Sequence, residues 1–321
     1  MTNKCNVYID GDALGLGDSI AIMPIIEIYA NTNKDKNIFF SSKFLEIFYR
    51  EYSNIFFLEN RNTFFLKENN FFIEFKNKIY NLQEVYHLGY NSVHLKIFGN
   101  NIHRKEIKNT RLPLQQQMAN FLNIEIDQEL KPKITTFASS VPRPANKYVC
   151  IATQTTMQAR YWNNPNGWKD VISFLNIKGY SVICIDKDQE FGNLVYRNRI
   201  PENCIDMTGL RLEDLIGLIQ SCEFFIGLDS GLSWLAWALN KKVVQILGLS
   251  NSLSFKNTYS IINKKVCNSC FEDKSITQFD KTFQPDGFLT CPKHKNTSRM
   301  FECTKEINSD MVISIIKKII K

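Results

Sequence analysis

The 321-residue sequence lacks the features that mark membrane, secreted or nucleic-acid-binding proteins. No stretch approaches about 18 uninterrupted apolar residues, which predicts that there is no transmembrane helix. The start of the chain lacks the charged segment, apolar run and small-residue cleavage site of a secretory signal. The net charge of +7 comes from scattered basic residues, which argues against a nucleic-acid partner and weakly favours acidic ligands such as nucleotide phosphates. We therefore expect a cytoplasmic protein whose nine cysteines are not a disulfide framework.

Strand and helix patterns alternate along both halves of the chain. Strands are predicted at 5–10, 37–42, 54–59, 71–75 and 85–90, and then at 148–154, 180–186, 224–229 and 242–248. Helices are predicted at 18–29, 43–52 and 115–122, and then at 168–179, 211–222, 231–240 and 311–320. The alternation predicts an α/β protein built from two doubly wound, Rossmann-like domains.

A proline- and serine-containing segment at 131–147 has little periodicity and is interpreted as a linker. It predicts an N-terminal domain over 1–140 and a C-terminal domain over 148–321. In doubly wound sheets the ligand binds outside the carboxyl ends of the strands. We therefore expect the ligand in a cleft between two facing domains.

The stretch GDALGLGDSIAIMP at 11–24 places a glycine loop between the first strand and the first helix. Its spacing does not match the dinucleotide-binding fingerprint. Asp18 has two open interpretations. It is either a helix-capping residue or a general base at the carboxyl end of a strand.

Small and polar residues follow several strands of the second half. The hydroxyls of Thr155 and Thr156 and the guanidinium of Arg160 suit a diphosphate. Asp229, Ser230 and Gly231 form a strand-to-helix turn whose free N–H groups can hold a phosphate, with simple helix capping as the alternative.

A further small-residue loop, which contains Thr208 and Gly209, is suited to lie against a nucleotide base.

Four cysteines predict a metal site. Cys267 and Cys270 form a C-x-x-C knuckle, and Cys291 and Cys303 follow downstream. This arrangement is typical of a metal site in a reducing compartment, and four unrelated buried thiols are the alternative. Chemistry alone permits zinc or iron with four thiolates, and His294 is a fallback ligand.

The motifs GLGDSIAIMP and FFIGLDSGLSWLAWAL, in this order, resemble those of glycosyltransferase family 9, the transferases that use ADP-heptose. IATQTTMQARYWNNPNGW, CNSCFED and the segment from CPKH to FECT are similar to bacterial autotransporter O-heptosyltransferases. The resemblance covers almost the whole chain and is densest over 148–305. It implies a GT-B fold and inverting transfer of heptose from ADP-heptose to serine hydroxyls of an autotransporter adhesin.

The resemblance also assigns roles to individual residues. Asp18 falls on the base of the family, and Asp229 falls on the aspartate that contacts the donor. Thr155, Thr156 and Arg160 fall on the residues that hold the diphosphate, although lipopolysaccharide heptosyltransferases have a lysine near the last position. Iron is favoured over zinc at the cysteines, and we expect a homo-oligomer.

Two other functions stay open. A lipopolysaccharide core heptosyltransferase would use the same donor with another acceptor. Trp234, where those enzymes usually carry histidine, argues for a protein acceptor. A non-catalytic nucleotide-sugar-binding module would keep the donor site without turnover.

Overall fold

A computed structural model describes residues 4–48, 51–59, 64–67, 70–89, 92–98, 101–107, 112–137, 140–193, 195–251, 258–276 and 288–321. The described residues divide into two compact units, which meet in sequence between Thr135 and Thr136. Each unit is built around a six-stranded sheet with parallel strands. Within the described part of the chain, no helix is long and apolar enough to cross a membrane.

The sheet of unit 1 combines parallel and antiparallel pairing. Its strand order is β3-β2-β1-β7-β8-β9, in which the first four strands are parallel and the last two pair antiparallel. The strands of this unit are β1 (Cys5–Asp10), β2 (Lys36–Ser41), β3 (Ile55–Leu58), β4 (Phe64–Lys67), β5 (Asn70–Phe75), β6 (Lys78–Asn81), β7 (Glu84–His87), β8 (Ser92–Phe98) and β9 (Asn101–Ile107).

Unit 1 has two described helices, α1 (Leu16–Thr32) and α2 (Leu114–Phe121). Both confirm predicted helices. The helix predicted at 43–52 is wrong, because a single 3-10 turn at Leu45–Ile47 occupies this segment. Phe48 then leaves the helical path and forms a β-bridge with Ile134. Leu45, Ile47 and Phe48 are buried although this segment does not form an α-helix.

A small antiparallel sheet, β4-β5-β6, connects β3 to β7, at the point of the chain where a doubly wound domain would have a helix. Lys76 and Asn77 link β5 to β6 with φ values of +48° and +60°, the left-handed geometry of a tight hairpin turn. Aromatic side chains on one face pack against Phe39 of the large sheet. The prediction of a doubly wound N-terminal domain is therefore wrong in its second half, because a period-two aromatic pattern pairs as hairpins.

Unit 2 has a fully parallel sheet in the order β14-β11-β10-β15-β16-β17. The strands of this sheet are β10 (Tyr148–Ile151), β11 (Ser181–Cys184), β14 (Ile205–Asp206), β15 (Phe225–Leu228), β16 (Val243–Ile246) and β17 (Tyr259–Ile261), and β12 (Glu190–Gly192) with β13 (Arg197–Arg199) forms a separate hairpin. The described helices are α3 (Gly167–Ile177), α4 (Leu212–Ser221), α5 (Gly231–Ala238), α6 (Glu302–Lys305) and α7 (Ser309–Ile319).

The packing of unit 2 confirms the sequence pattern. The strands predicted from continuous apolar runs are buried along their whole length in β10, β15 and β16. Helices α3 and α7 cover the sheet face that carries Val149 and Val244, and Ile316 of α7 packs in the same cluster. Gly179 ends the α3 segment with a φ of +81°, as the predicted C-cap requires. This unit is therefore the Rossmann-like domain that the sequence predicted.

Candidate functional site

The glycine loop after β1 lies close against the end of β2. The Gly11 N–H donates to the Ser41 carbonyl at 2.9 Å, and a Cβ at Gly11 would lie 2.9 Å from that oxygen. Asp18, in the first turn of α1, accepts a hydrogen bond from the Gly15 N–H at 3.1 Å. The capping role of Asp18 is therefore present in the structure, and its role as a general base stays a prediction.

Two residues that sequence reasoning missed lie beside this loop. Asp10 ends β1 and His87 ends β7, and the two are register partners in the sheet. Oδ2 of Asp10 lies 3.0 Å from Nδ1 of His87. The signal was available, because both residues are polar and close an apolar strand at the carboxyl edge of a parallel sheet.

A cavity of about 420 Å³ opens at the same edge of unit 1. It is lined by Asp12, Ser42, Lys43, Leu45, Glu46, Leu58 and Glu59. These residues follow or end β1, β2 and β3. The carboxyl edge of this sheet is therefore a polar surface with a cavity in it.

At the carboxyl edge of the second sheet, a buried guanidinium faces a buried carboxylate. Nη2 of Arg160 lies 3.9 Å from Oδ2 of Asp229, with side-chain exposures of 12% and 10%. Burial raises the pKa of Asp229 above its ordinary value, and the Arg160 charge opposes this shift only in part. The sequence prediction that these two residues share a site is consistent with this geometry.

One buried polar atom at this edge, Oγ of Ser230, makes no hydrogen bond to any described residue. The Ser250 hydroxyl lies near Asp229 and lowers its pKa. Ser230 is the N-cap position of α5, and Gly231 is its first residue. Buried polar groups are normally hydrogen-bonded, and a polar ligand at the start of α5 would supply the partner that the Ser230 hydroxyl lacks among the described residues.

The predicted diphosphate loop after β10 is held by a residue that the sequence did not single out. The buried Asp186 accepts hydrogen bonds from the Thr153 N–H at 2.8 Å, the Thr153 hydroxyl at 2.6 Å and the Gln154 N–H at 3.1 Å. Thr155 is buried and donates its hydroxyl to the Met157 carbonyl at 2.8 Å.

The neighbouring residue in this loop, Thr156, is exposed. Of the two threonines, it therefore presents its side chain to solvent, while Thr155 stabilises the loop.

The loop that contains Thr208 and Gly209 is hydrogen-bonded to Asp186 at the carboxyl edge of the second sheet. The Gly209 N–H donates to the Asp186 carbonyl at 3.1 Å, and Gly209 has a φ of +73°. The Thr208 N–H is held by Oδ1 of Asp206 at 2.9 Å. The structure therefore brings this loop next to the predicted diphosphate loop.

The four cysteines of the predicted metal site share one neighbourhood. Burial and the nearby Cys267 and Cys303 thiols together raise the pKa of Cys270 to about 12. Burial and the nearby Cys291 and Cys267 thiols together raise the pKa of Cys303 to about 12. All nine cysteines of the chain are free. Four thiols that repel each other's charge fit a site that holds a cation.

The geometry does not confirm a four-cysteine ligand set. Among the described residues, the group whose ligand atoms all lie within 4.8 Å of one another is Cys267, His294 and Glu302. Glu302 is already engaged, because it accepts the Cys267 N–H at 2.9 Å and pairs with Arg299 at 2.6 Å. Arg299 lowers the pKa of Glu302 to about 2. We interpret Glu302 as a structural residue that fixes the backbone of the cysteine segment. His294 remains a candidate for an alternative metal ligand.

The cysteine segment is anchored on the sheet of unit 2. The Ser269 N–H donates to the Gly248 carbonyl at 2.7 Å, and the Phe271 N–H donates to the Leu249 carbonyl at 3.0 Å. A Cβ at Gly248 would lie 3.1 Å from Sγ of Cys303. The C-x-x-C turn therefore follows the end of β16 closely.

Comparison with known proteins identifies similar enzymes. The chain is 45% identical over 183 residues to the autotransporter heptosyltransferase TibC of Escherichia coli O78:H11 strain H10407, a match that covers 56% of this chain and 44% of TibC. In sequence, the matched part is thus less than half the length of that relative. A crystal structure described as bacterial iron-containing dodecameric TibC superposes with a TM-score of 0.78 at 32% identity, over 97% of this chain and 75% of the other. TibC has also been solved in complex with ADP-D-beta-D-heptose, and this chain superposes on it with a TM-score of 0.80 at 30% identity, over 99% of this chain and 77% of that chain.

Two further comparisons bear on the alternatives. The chain is 29% identical over 201 residues to the inactive autotransporter heptosyltransferase BimC of Burkholderia thailandensis strain E264, which covers 60% of this chain and 44% of BimC. The E. coli ADP-heptose lipopolysaccharide heptosyltransferase II superposes with a TM-score of 0.55 at 10% identity, over 98% of both chains. That second likeness shows a shared fold alone.

The sequence profile of glycosyltransferase family 9 (heptosyltransferase) matches residues 106–284, which is more than half of the chain. Together with the superposition on TibC, this match shows that the chain belongs to glycosyltransferase family 9, the heptosyltransferase family.

Proposed function

We propose that this protein is an inverting protein O-heptosyltransferase. It transfers heptose from ADP-heptose to serine hydroxyls of an autotransporter adhesin in the cytoplasm. The observation that carries the proposal is the buried polar cluster around Arg160 and Asp229 at the carboxyl edge of the second sheet. The similarity to TibC, which has been solved with ADP-D-beta-D-heptose, supports the choice of donor.

The second unit, over 148–321, is proposed to bind the donor. Arg160, Thr155 and Thr156 hold the diphosphate, and the N-terminus of α5 at Ser230 and Gly231 contributes partial positive charge. Thr208 and Gly209 lie against the base. Asp229 orients Arg160 and contacts the donor. These groups stabilise the negative charge that develops on the departing ADP.

The first unit, over 1–140, is proposed to bind the acceptor and to supply the base. The serine oxygen forms a bond to the anomeric carbon of the heptose. The bond from that carbon to the diphosphate oxygen breaks, and its electron pair leaves with ADP. Asp18 takes the serine proton. Its hydrogen bond to the Gly15 N–H orients the carboxylate for this step.

A structural iron, with zinc as the other chemically allowed metal, is proposed at Cys267, Cys270, Cys291 and Cys303. Support comes from the gathering of four thiols and from the iron-containing TibC. When bound, the metal would pin the long loop that carries these cysteines to the sheet. The metal is proposed to have a structural role, and the transfer itself is carried by Asp18 and the donor-binding residues. A homo-oligomer is proposed by analogy with the dodecameric TibC.

The test is incubation of the purified protein with ADP-heptose and a recombinant serine-rich passenger fragment of an autotransporter adhesin. Intact mass is expected to show addition of heptose residues to the fragment. Transfer to a lipopolysaccharide core acceptor instead of the fragment would establish the lipopolysaccharide alternative. Donor binding without turnover would establish a non-catalytic module, a possibility that BimC, a relative described as inactive, makes worth testing.

A further inference from the structure

The Asp10–His87 pair has the arrangement of a histidine oriented by a carboxylate. Oδ1 of Asp10 accepts the Asp12 N–H at 3.0 Å, and Oδ2 meets Nδ1 of His87 at 3.0 Å. An ionised carboxylate only accepts hydrogen bonds, so it selects the imidazole form in which Nδ1 carries the proton. In the neutral ring, Nε2 is then a hydrogen-bond acceptor.

The other ring nitrogen of His87 is Nε2. Within the described ranges it makes no hydrogen bond, and the side chain is 39% exposed. The edge of the Phe64 ring lies against the imidazole, with ring centroids 6.4 Å apart and an interplanar angle of 79°. The ring is thus held at Nδ1 by Asp10 and contacts Phe64, while its side chain stays partly exposed.

His94 in the same unit shows what a purely structural histidine looks like here. Its side chain is 12% exposed, and its Nε2 lies 3.0 Å from Glu84. Its ring stacks on Tyr86 at a centroid distance of 4.0 Å. His87 differs because its side chain is more exposed and its Nε2 has no hydrogen-bond partner among the described residues.

The location of His87 indicates which substrate it contacts. It lies at the carboxyl edge that carries the glycine loop and the 420 Å³ cavity. The donor groups Arg160 and Asp229 belong to the other unit. An acceptor polypeptide offers hydroxyl and backbone N–H groups, which are donors that match the acceptor nitrogen of an oriented imidazole.

We propose that His87, oriented by Asp10, hydrogen-bonds the acceptor polypeptide and positions its serine for transfer. The inference rests on the proposed function. Asp10 is a positioning residue that acts through His87. Because the contact belongs to the acceptor, it affects acceptor affinity and leaves donor affinity unchanged.

The test uses His87→Ala, His87→Gln and Asp10→Asn in the full chain, with His103→Ala as the control. His103 is also exposed and also makes an edge contact with a phenylalanine, Phe98, at 77°. Transfer to the serine-rich passenger fragment gives KM for each substrate. Binding of the fragment by interferometry gives a readout that does not depend on turnover.

His87→Ala is expected to raise the acceptor KM and weaken fragment binding about 10-fold, which is typical of one lost hydrogen bond. The donor KM and the slow hydrolysis of ADP-heptose without acceptor stay at the parent values. Asp10→Asn is expected to show the same defect, since its amide N–H can donate to Nδ1 and reverse the polarity of Nε2. His87→Gln retains an accepting oxygen and is expected to recover part of the affinity.

Unchanged acceptor KM and fragment binding in both His87→Ala and Asp10→Asn would overturn the inference. So would equal losses toward donor and acceptor together with a lowered thermal midpoint, because that pattern indicates a structural role. A parent protein that binds the fragment through His87 but transfers no heptose would refute the proposed function and leave the contact standing. A parent that neither binds nor transfers would refute both.

Discussion

Nη2 of Arg160 lies 3.9 Å from Oδ2 of Asp229, and both side chains are almost completely buried. Burying a charge is costly unless it is compensated. At this distance the pair is looser than a direct ion pair with hydrogen bonds. This gap, and the Ser230 Oγ that has no hydrogen-bond partner among the described residues, suit a site that a charged ligand completes.

Asp229→Asn is expected to weaken ADP-heptose binding and lower turnover. The substitution keeps the shape but removes the carboxylate that is proposed to orient Arg160 and contact the donor, and we expect a loss of about 10-fold or more, as for a hydrogen bond to a charged group. Calorimetric titration with ADP-heptose checks the affinity. The exposed Asp310→Asn is the control. If Asp229→Asn binds ADP-heptose and turns over as the parent does, Asp229 does not contact the donor and has a structural role only.

Arg160→Lys is expected to retain part of the donor affinity, whereas Arg160→Gln loses most of it. Lysine preserves the charge but not the planar fork that matches two phosphate oxygens. Titration with ADP and with ADP-heptose separates the two variants. Equal affinity in both would show that the charge of residue 160 is not used for the diphosphate.

Asp18→Asn is expected to cut the transfer rate by about 10²–10⁴-fold, the usual contribution of a positioned base. Asparagine can still accept the Gly15 N–H, so folding and ADP-heptose binding should stay near normal. Single-turnover transfer and thermal unfolding are measured side by side. Transfer at the parent rate would leave Asp18 with the capping role alone.

Removal of the metal site is expected to destabilise unit 2. Elemental analysis should find about one equivalent of metal per chain, with iron favoured, for a single thiolate site. Cys303→Ser should lose the metal and lower the thermal midpoint, while Cys5→Ser, in unit 1, should retain it. A fully folded parent protein without metal would contradict the site.

Glu84→Gln is expected to destabilise the protein at neutral pH. Burial alone would raise the pKa of Glu84, but hydrogen bonds from His94 and Lys36 lower it from 4.5 to about 2. A carboxyl whose pKa is lower in the folded state stabilises the fold above its unfolded pKa and loses that contribution as the pH falls. The contribution, about 3 kcal/mol for this shift, should therefore disappear between pH 4.5 and about 2.

Urea unfolding of the parent and of Glu84→Gln across that pH range checks the sign. The difference in free energy of unfolding should be largest above pH 4.5 and should shrink toward pH 2. The exposed Glu223→Gln is the control. A difference that is constant with pH would show that the cost arises from packing and not from the charge of Glu84.

The sequence alone predicted most of unit 2. Its strands are continuous apolar runs because both faces of a parallel sheet are buried, and this pattern is local and easily read. The same reasoning failed at 43–52, where a β-bridge from Phe48 to Ile134, a residue far away along the chain, replaced the predicted helix. It also failed at β4–β6, where alternating aromatic residues pair as hairpins.

The sequence by itself determined the family, the parallel sheet of unit 2 and the residue types of the proposed donor site, because strand ends and loop motifs consist of consecutive residues. Only the tertiary structure decided which distant residues meet. It paired Asp10 with His87, set Asp186 beneath the loop at Thr153 and engaged Glu302 with the Cys267 backbone. Each of these contacts joins residues about 30 or more positions apart, and such pairings depend on sheet register and on packing, which a linear pattern does not contain.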